Sequence, residues 1–183
     1  MNTAIKQDRI TLRNLKVAEF ACDDTLCFTA TIVFDGVAIA EASNDGRGSM
    51  TFIHAPKNKQ ALLSEAERFA ESLPPQVCPD LPPTDGKPFS IDITLDYLVD
   101  VLADTLHKDS KLRTTYSRNK NKVVFIKDNK VFSLPKVKLD SLKNRTTFFA
   151  SLRETYGQSI VILAELPPDD AFALWKQHIY EKN

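Results

Sequence analysis

The stretch "LCFTATIVFDGVAIA", residues 26–40, constrains the fold more than any other. Leu26, Phe28, Ala30, Ile32 and Phe34 alternate with Cys27, Thr29, Thr31 and Val33. Period-two alternation rich in β-branched residues is what a half-buried strand requires. Asp35-Gly36 follows at once, and a type I′ turn needs positive φ at both of its central residues, which this pair tolerates. The two signals together predict an antiparallel hairpin. Phe34 then pairs with Val37 and Ile32 with Ile39, and Leu26 and Cys27 lie opposite Asn44 and Asp45.

Upstream, Ile10 and Leu12 share one parity and Leu15 and Val17 the other, so a bulge is predicted near Arg13-Asn14. Downstream, "MTFIH" (50–54) closes a meander over residues 10–54, with Met50 and Phe52 on one face. A helix follows. Leu62, Ala66, Phe69, Ala70 and Leu73 form its inner stripe, Asn58 is its expected cap, and Pro74-Pro75 end it.

"PPQVCPDLPPTDGKP" then places six prolines in fifteen residues, a density that excludes both helix and central strand. It reads as a connector over 74–90, joining 1–73 to an α+β half over 91–183 that either has its own core or shares one with 1–73. In that half the spacing predicts a helix over 92–107, with Leu95, Leu98, Val99, Leu102 and Leu106 inward. Two short strands, "KVVFIK" and "KVFSL", meet at Asp128-Asn129. A helix over 141–156 runs from an Asp140 cap to Gly157, "SIVILAEL" reads as a buried strand, and a last helix opens at Pro168 with Asp169 and Asp170 at its positive end. Phe172, Trp175 and Ile179 face inward on it. The expected class is α+β: an N-terminal antiparallel β-meander with a covering helix, then a mixed helix/hairpin/helix/strand/helix C-terminal half.

No apolar run approaches the roughly 18–20 residues that span a bilayer, and the start has no apolar stretch of signal-peptide type. The expectation is a cytoplasmic protein with no membrane partner. Cys22, Cys27 and Cys78 fit no disulfide framework or zinc spacing, and His54, His107 and His178 lie far apart. Cys22 and Cys27 can face each other across a hairpin and read as reduced packing residues. No cofactor is expected.

Two of the five glycines sit in "SNDGRGSM", residues 43–50. A P-loop would run into a helix and carry Lys-Ser or Lys-Thr, whereas this loop enters a strand and carries Arg47. An EF-hand would need oxygen donors at alternate positions. Asn, Asp and Gly are also the ordinary residues of tight turns, which is the plainer reading. The alternative is a divalent cation held by Asp23, Asp24 and Asp45, which the hairpin brings to one end of the meander. No serine sits in a nucleophile elbow, so the reading leans away from an enzyme, with metal-dependent nucleic-acid processing at those aspartates as the alternative.

Charge is balanced overall but divided along the chain. Residues 108–145 carry twelve basic and three acidic side chains, and residues 61–107 carry nine acidic and two basic. Asp92, Asp96, Asp100 and Asp104 form a ladder that reads as a solvated face, a face docked on basic residues, or a metal site. Lys111, Arg113, Arg118, Lys120 and Lys122 crowd what reads as a connecting segment, with Tyr116 among them and able to stack on a base. Lys127 and Lys130 flank the hairpin turn. Clustered cations suit phosphate or an acidic protein surface, and lysines also guard exposed sheet edges.

The run "LRNLKVAEFACDDTLCFTATIVFDGVAIAEASNDGRGS" resembles an N-terminal segment of uncharacterised small phage and prophage proteins. The shared features are a Leu-Lys-x-x-x-Phe-Ala lead-in, a Cys-Phe-x-Ala-Thr strand and an Asn-Asp-Gly-x-Gly loop. A weaker echo lies in "VVFIKDNKVFSL", and the pattern departs after Gly48. The resemblance implies a mobile-element protein in a bacterial cell. The functional expectation is a non-catalytic binding protein that sequesters or blocks a host macromolecule, as an anti-defence or host-takeover factor. The expected partner is a host protein or complex, with nucleic acid as the alternative.

Overall fold

The computed structural model describes residues 5–78, 81–83 and 86–180. Along them run β1 (Ile10–Val17), β2 (Phe28–Phe34), β3 (Val37–Asn44), β4 (Phe52–His54), α1 (Gln60–Glu71), β5 (Gln76–Val77) and β6 (Ser90–Ile91). Then come α2 (Leu95–Asn119), β7 (Lys122–Lys127), β8 (Lys130–Lys138), α3 (Arg145–Tyr156), β9 (Val161–Ile162) and α4 (Pro168–Tyr180). The fold is α+β, and the chain forms two compact units that divide between Lys108 and Asp109, inside α2.

The first unit is built on an antiparallel sheet of order β1-β2-β3-β4. Asp35 and Gly36 have φ of 46° and 82°, as a type I′ turn demands. The bulge expected in β1 lies between Arg13 and Lys16, with Asn14 at φ 53°. A second bulge changes the expected register. Phe34 pairs with Val37 and Val33 with Ala38, but Ile32 pairs with Ala40, so Ile39 is extra and Phe28 faces Asn44. The reason is polarity. An unbroken register would turn Glu41 and Ser43 inward, whereas the bulge buries Ile39, Ala40, Ala42 and Asn44 and leaves Glu41 exposed. Met50 and Phe52 stay exposed, and Ile53 is the β4 residue that packs on the core.

Ile10, Phe28, Ile32 and Phe34 of the sheet pack with Ala66 and Ala70 of α1 and with Leu95, Leu98, Val99 and Ala103 of α2. The start of α2 therefore belongs to the meander's core, and the units do not part at the proline-rich segment. That segment is closed at its base by β5 and β6, where Gln76 pairs with Ile91 and Val77 with Ser90. Prolines forbid regular structure within a loop but not the return of the chain. Residues 79, 80, 84 and 85 of it lie outside the described residues. A 3₁₀ turn, Lys57–Lys59, leads into α1, whose N-cap is Lys59 without a side-chain cap bond, so Asn58 is not the cap.

The second unit holds a sheet of order β8-β7-β9. Its central strand reads "VVFI" because both faces are buried. Val123 and Phe125 pack with Phe149 and Leu152 of α3, and Val124 and Ile126 pack with Phe172 and Trp175 of α4. The Asp128-Asn129 turn has φ of 48° and 57° and sets Lys127 opposite Lys130. Three expectations change here. The helix expected to end at 107 runs on to Asn119. Asn144, not Asp140, caps α3, its Oδ1 accepting from the Thr147 amide at 3.1 Å. Of "SIVILAEL", only Val161–Ile162 is strand, and Leu163–Glu165 is a 3₁₀ turn.

Candidate functional site

Three of the expected basic residues are gathered by the end of α2. Arg118 lies on its last turn, Lys120 in the turn that follows, and Lys122 at the start of β7. The Lys120 amide donates to the Ser117 carbonyl at 3.1 Å, which turns the chain sharply and brings alternate residues together. Cations also suit a helix C-terminus, where carbonyls gather negative charge. These three side chains and Arg145 line a cleft of about 530 Å³ within the second unit.

The cleft's floor is braced. Asn121 Nδ2 donates to Asp140 Oδ2 at 2.6 Å, and the Asp140 amide donates back to Asn121 Oδ1 at 3.2 Å. The Leu139 amide donates to the Asn121 carbonyl at 2.8 Å, and Arg145 Nε donates to the Leu139 carbonyl at 3.3 Å. Ala164 and Leu166 supply an accessible apolar side. Among the described residues, Arg118, Lys120, Lys122 and Arg145 form no ion pair. Asp140 is the single acid on the lining among the described residues.

The other basic candidates go elsewhere. Arg113 lies 4.4 Å over the Phe172 ring, donates through Nε to Asp109 Oδ2 at 3.1 Å, and sits 3.9 Å from Asp169. It fastens α2 to α4. Lys176 also bonds Asp109, and the Lys176 and Arg113 partners hold that carboxyl below the usual carboxylate range. Tyr116 touches the cleft, but its ring packs 5.5 Å from Phe172 and 5.2 Å from Trp175, and burial pushes its phenol up. It is a half-buried aromatic whose ring is held against Phe172 and Trp175 at the edge of the cleft. Lys111 is exposed on α2 outside the cleft lining. Lys127 and Lys130 sit at the far end of the hairpin, about 17 Å along the strand from Lys122 at ~3.3 Å per residue. Arg145 and the Asn121–Asp140 brace were not legible in the sequence, because they reach the cleft only through the fold.

The glycine loop is a locked turn. The amides of Asp23, Asp24 and Thr25 donate to the Gly46 carbonyl at 2.9, 3.0 and 3.2 Å. Asn44 is buried. Its Nδ2 donates to the Ser49 carbonyl and to Thr51 Oγ1, both at 3.1 Å, and its Oδ1 accepts from the Gly46 amide at 2.9 Å and Thr25 Oγ1 at 3.1 Å. Asp45 turns onto its own loop. Its Oδ1 accepts from Ser49 Oγ at 2.8 Å and the Arg47 amide at 3.2 Å, and these bonds hold its carboxyl below the usual range. Among the described residues no three His, Cys, Asp or Glu side chains gather to hold a metal, so Asp23, Asp24 and Asp45 do not form the cation site considered above. Cys22 and Cys27 are free thiols, and the Cys27 amide donates to Cys22 Sγ at 3.1 Å.

Two members of the acidic ladder, Asp100 and Asp104, have local partners. Asp92 precedes α2, and Asp104 bonds Lys108 Nζ at 2.6 Å. The Thr51 hydroxyl donates to Asp100. Burial, with help from Asp96 and against the Thr51 bond, pushes the Asp100 carboxyl up. No described helix is long and apolar enough to cross a membrane. No family model matches the chain, and no curated protein or solved structure matches it.

Proposed function

We propose that the protein is a non-catalytic binding protein that engages an anionic host macromolecule through the basic cleft of its second unit. One observation carries the reading: Arg118, Lys120, Lys122 and Arg145 line the same cleft without an ion-pair partner among the described residues. Like charges gathered in a concavity repel one another, and a bound anion relieves that repulsion. The resemblance to phage proteins adds the context of sequestration inside a bacterial cell, as an anti-defence or host-takeover factor. Nucleic acid is the second reading, favoured by the cleft's concave shape, because phosphates enter a cleft that an acidic protein surface would only cover.

The Arg118→Glu/Lys120→Glu double variant tests the reading. Both residues are exposed, so folding, followed by circular dichroism, should be nearly unchanged. Capture from a bacterial lysate, with and without nuclease, should retain a partner on the unmodified protein and lose it on the variant. Binding should also weaken as salt rises from about 0.05 to 0.3 M, since screening acts within about 10 Å at 0.1 M. An identical set of captured partners on both proteins, insensitive to salt, would sink the idea.

A further inference from the structure

We propose that the cleft is a nucleoside-phosphate site, in which Arg118, Lys120, Lys122 and Arg145 hold the phosphate and the wall of Ala164 and Leu166 receives the base. The inference rests on the reading of the cleft as the contact surface and names its ligand.

Three features of the cleft point to this class. Its volume of about 530 Å³ lies in the range of roughly 300–1,000 Å³ typical of small-molecule sites, and it is concave, whereas an acidic protein face is broad. Its polarity is divided. The cations come from the end of α2, the start of β7 and the start of α3, while the apolar side comes from the chain between β9 and α4. A ligand with a multiply charged end and a flat, weakly polar body fits that division. Four cations against one carboxylate leave an excess of positive charge, as a phosphate of charge near −2 requires.

Asp140 supplies the third feature. Its carboxylate is held in place by Asn121 and keeps acceptor capacity beyond that bond. An acceptor beside cations suits a ligand that carries hydroxyl donors as well as phosphate, as a ribose does. An acidic peptide would set its own carboxylates against Asp140. A free nucleotide and the phosphorylated end of a nucleic-acid strand present the same chemistry.

Calorimetric titration of the whole protein separates the cases, with ADP, dADP, adenosine, pyrophosphate, and a ten-nucleotide single strand bearing a 5′-phosphate or a 5′-hydroxyl as probes. ADP, or the 5′-phosphorylated strand, is expected to bind at least tenfold more tightly than adenosine or the 5′-hydroxyl strand. Similar affinity for ADP and the phosphorylated strand identifies the free nucleotide as sufficient, and a tenfold preference for the strand identifies the nucleic-acid end. Arg118→Gln/Arg145→Gln should weaken binding about tenfold or more. Lys122→Gln, which breaks no side-chain bond among the described residues, guards against loss of the Arg145–Leu139 contact and should weaken it severalfold. Lys127→Gln/Lys130→Gln, at the far end of the hairpin, should leave it unchanged, and Asp140→Ala, which removes the acceptor, should erase any preference for ADP over dADP. Pyrophosphate binding as tightly as ADP, with the two strands also equal, overturns the proposal. So does absence of binding by every probe. If the lysate partner is still lost on charge reversal in that case, the broader reading stands and only its ligand class falls.

Discussion

Gly36 and Gly46 share a left-handed backbone, with φ of 82° and 83°, yet differ in their surroundings. A Cβ on Gly36 meets nothing within 4 Å, while one on Gly46 would lie 2.5 Å from the Ala21 carbonyl oxygen and 2.8 Å from Cys27 Cβ. Gly36→Ala should therefore cost about 1 kcal/mol for conformation alone. Gly46→Ala should cost about 2–4 kcal/mol, since overpacking against backbone adds to the strain. Urea denaturation of the two variants checks the order, and equal costs would refute the crowding argument. Asp100 gives a second test at this scale. Its carboxyl is raised by burial, so the folded state binds the proton more readily than the unfolded chain. Stability from this group is present at low pH and is lost as pH rises through the folded value. Asp100→Asn keeps an acceptor for the Thr51 hydroxyl and removes the charge. It should raise the melting temperature at pH 7, with a gain that shrinks toward pH 4. Asp35-Gly36 was legible in the sequence because the turn rule is local. The crowding of Gly46 and the burial of Asn44 were not, because both depend on the 21–27 segment and on an unforeseen bulge in β3.

At the scale of the element, α2 is the main departure from expectation. Its apolar stripe is dense to Leu106, and beyond that "HKDSKLRTTYSRN" is polar apart from Leu112 and Tyr116. Those two residues stand four apart, on one helical face, and pack against the cluster of Val124, Ile126, Phe172 and Trp175. Two apolar residues in three turns are a weak periodic signal, so the segment reads as a connector until its packing partners are known. Tyr116→Ala should accordingly lower stability by about 2–3 kcal/mol, somewhat less than the loss of a fully buried aromatic. Tyr116→Phe, which keeps the ring, should change it by less than about 1 kcal/mol. Chemical denaturation followed by Trp175 fluorescence measures both, and an unchanged midpoint for Tyr116→Ala would return Tyr116 to the list of surface residues. The β7–β8 hairpin was readable because its apolar run and its Asp128-Asn129 turn are contiguous in sequence.

On the scale of the whole molecule, each unit has its own apolar clusters, and the sole tryptophan, Trp175, reports on the second. Ile32 is fully buried in the first. Ile32→Ala should cost about 2–5 kcal/mol there, and it should lower the melting curve seen by circular dichroism more than the one seen by tryptophan fluorescence. Coincident curves would show that the chain melts as one cooperative body. The residues by themselves determined the α+β class, the meander, the type I′ turn at Asp35-Gly36, the hairpin junction at Asp128-Asn129, the Gly157 stop and the acidic first turn of α4. Each of these depends on neighbours within a few positions, where periodicity, φ preference and helix polarity act. Only tertiary structure decided that β5 and β6 pair across the base of the proline-rich stretch, that α2 carries on past Lys108, and that Arg145 joins Arg118, Lys120 and Lys122 while Lys127 and Lys130 stand apart. Those outcomes depend on which apolar faces find partners and on where the chain reverses, and a pattern of neighbours along a sequence does not carry distances between residues that are far apart in it.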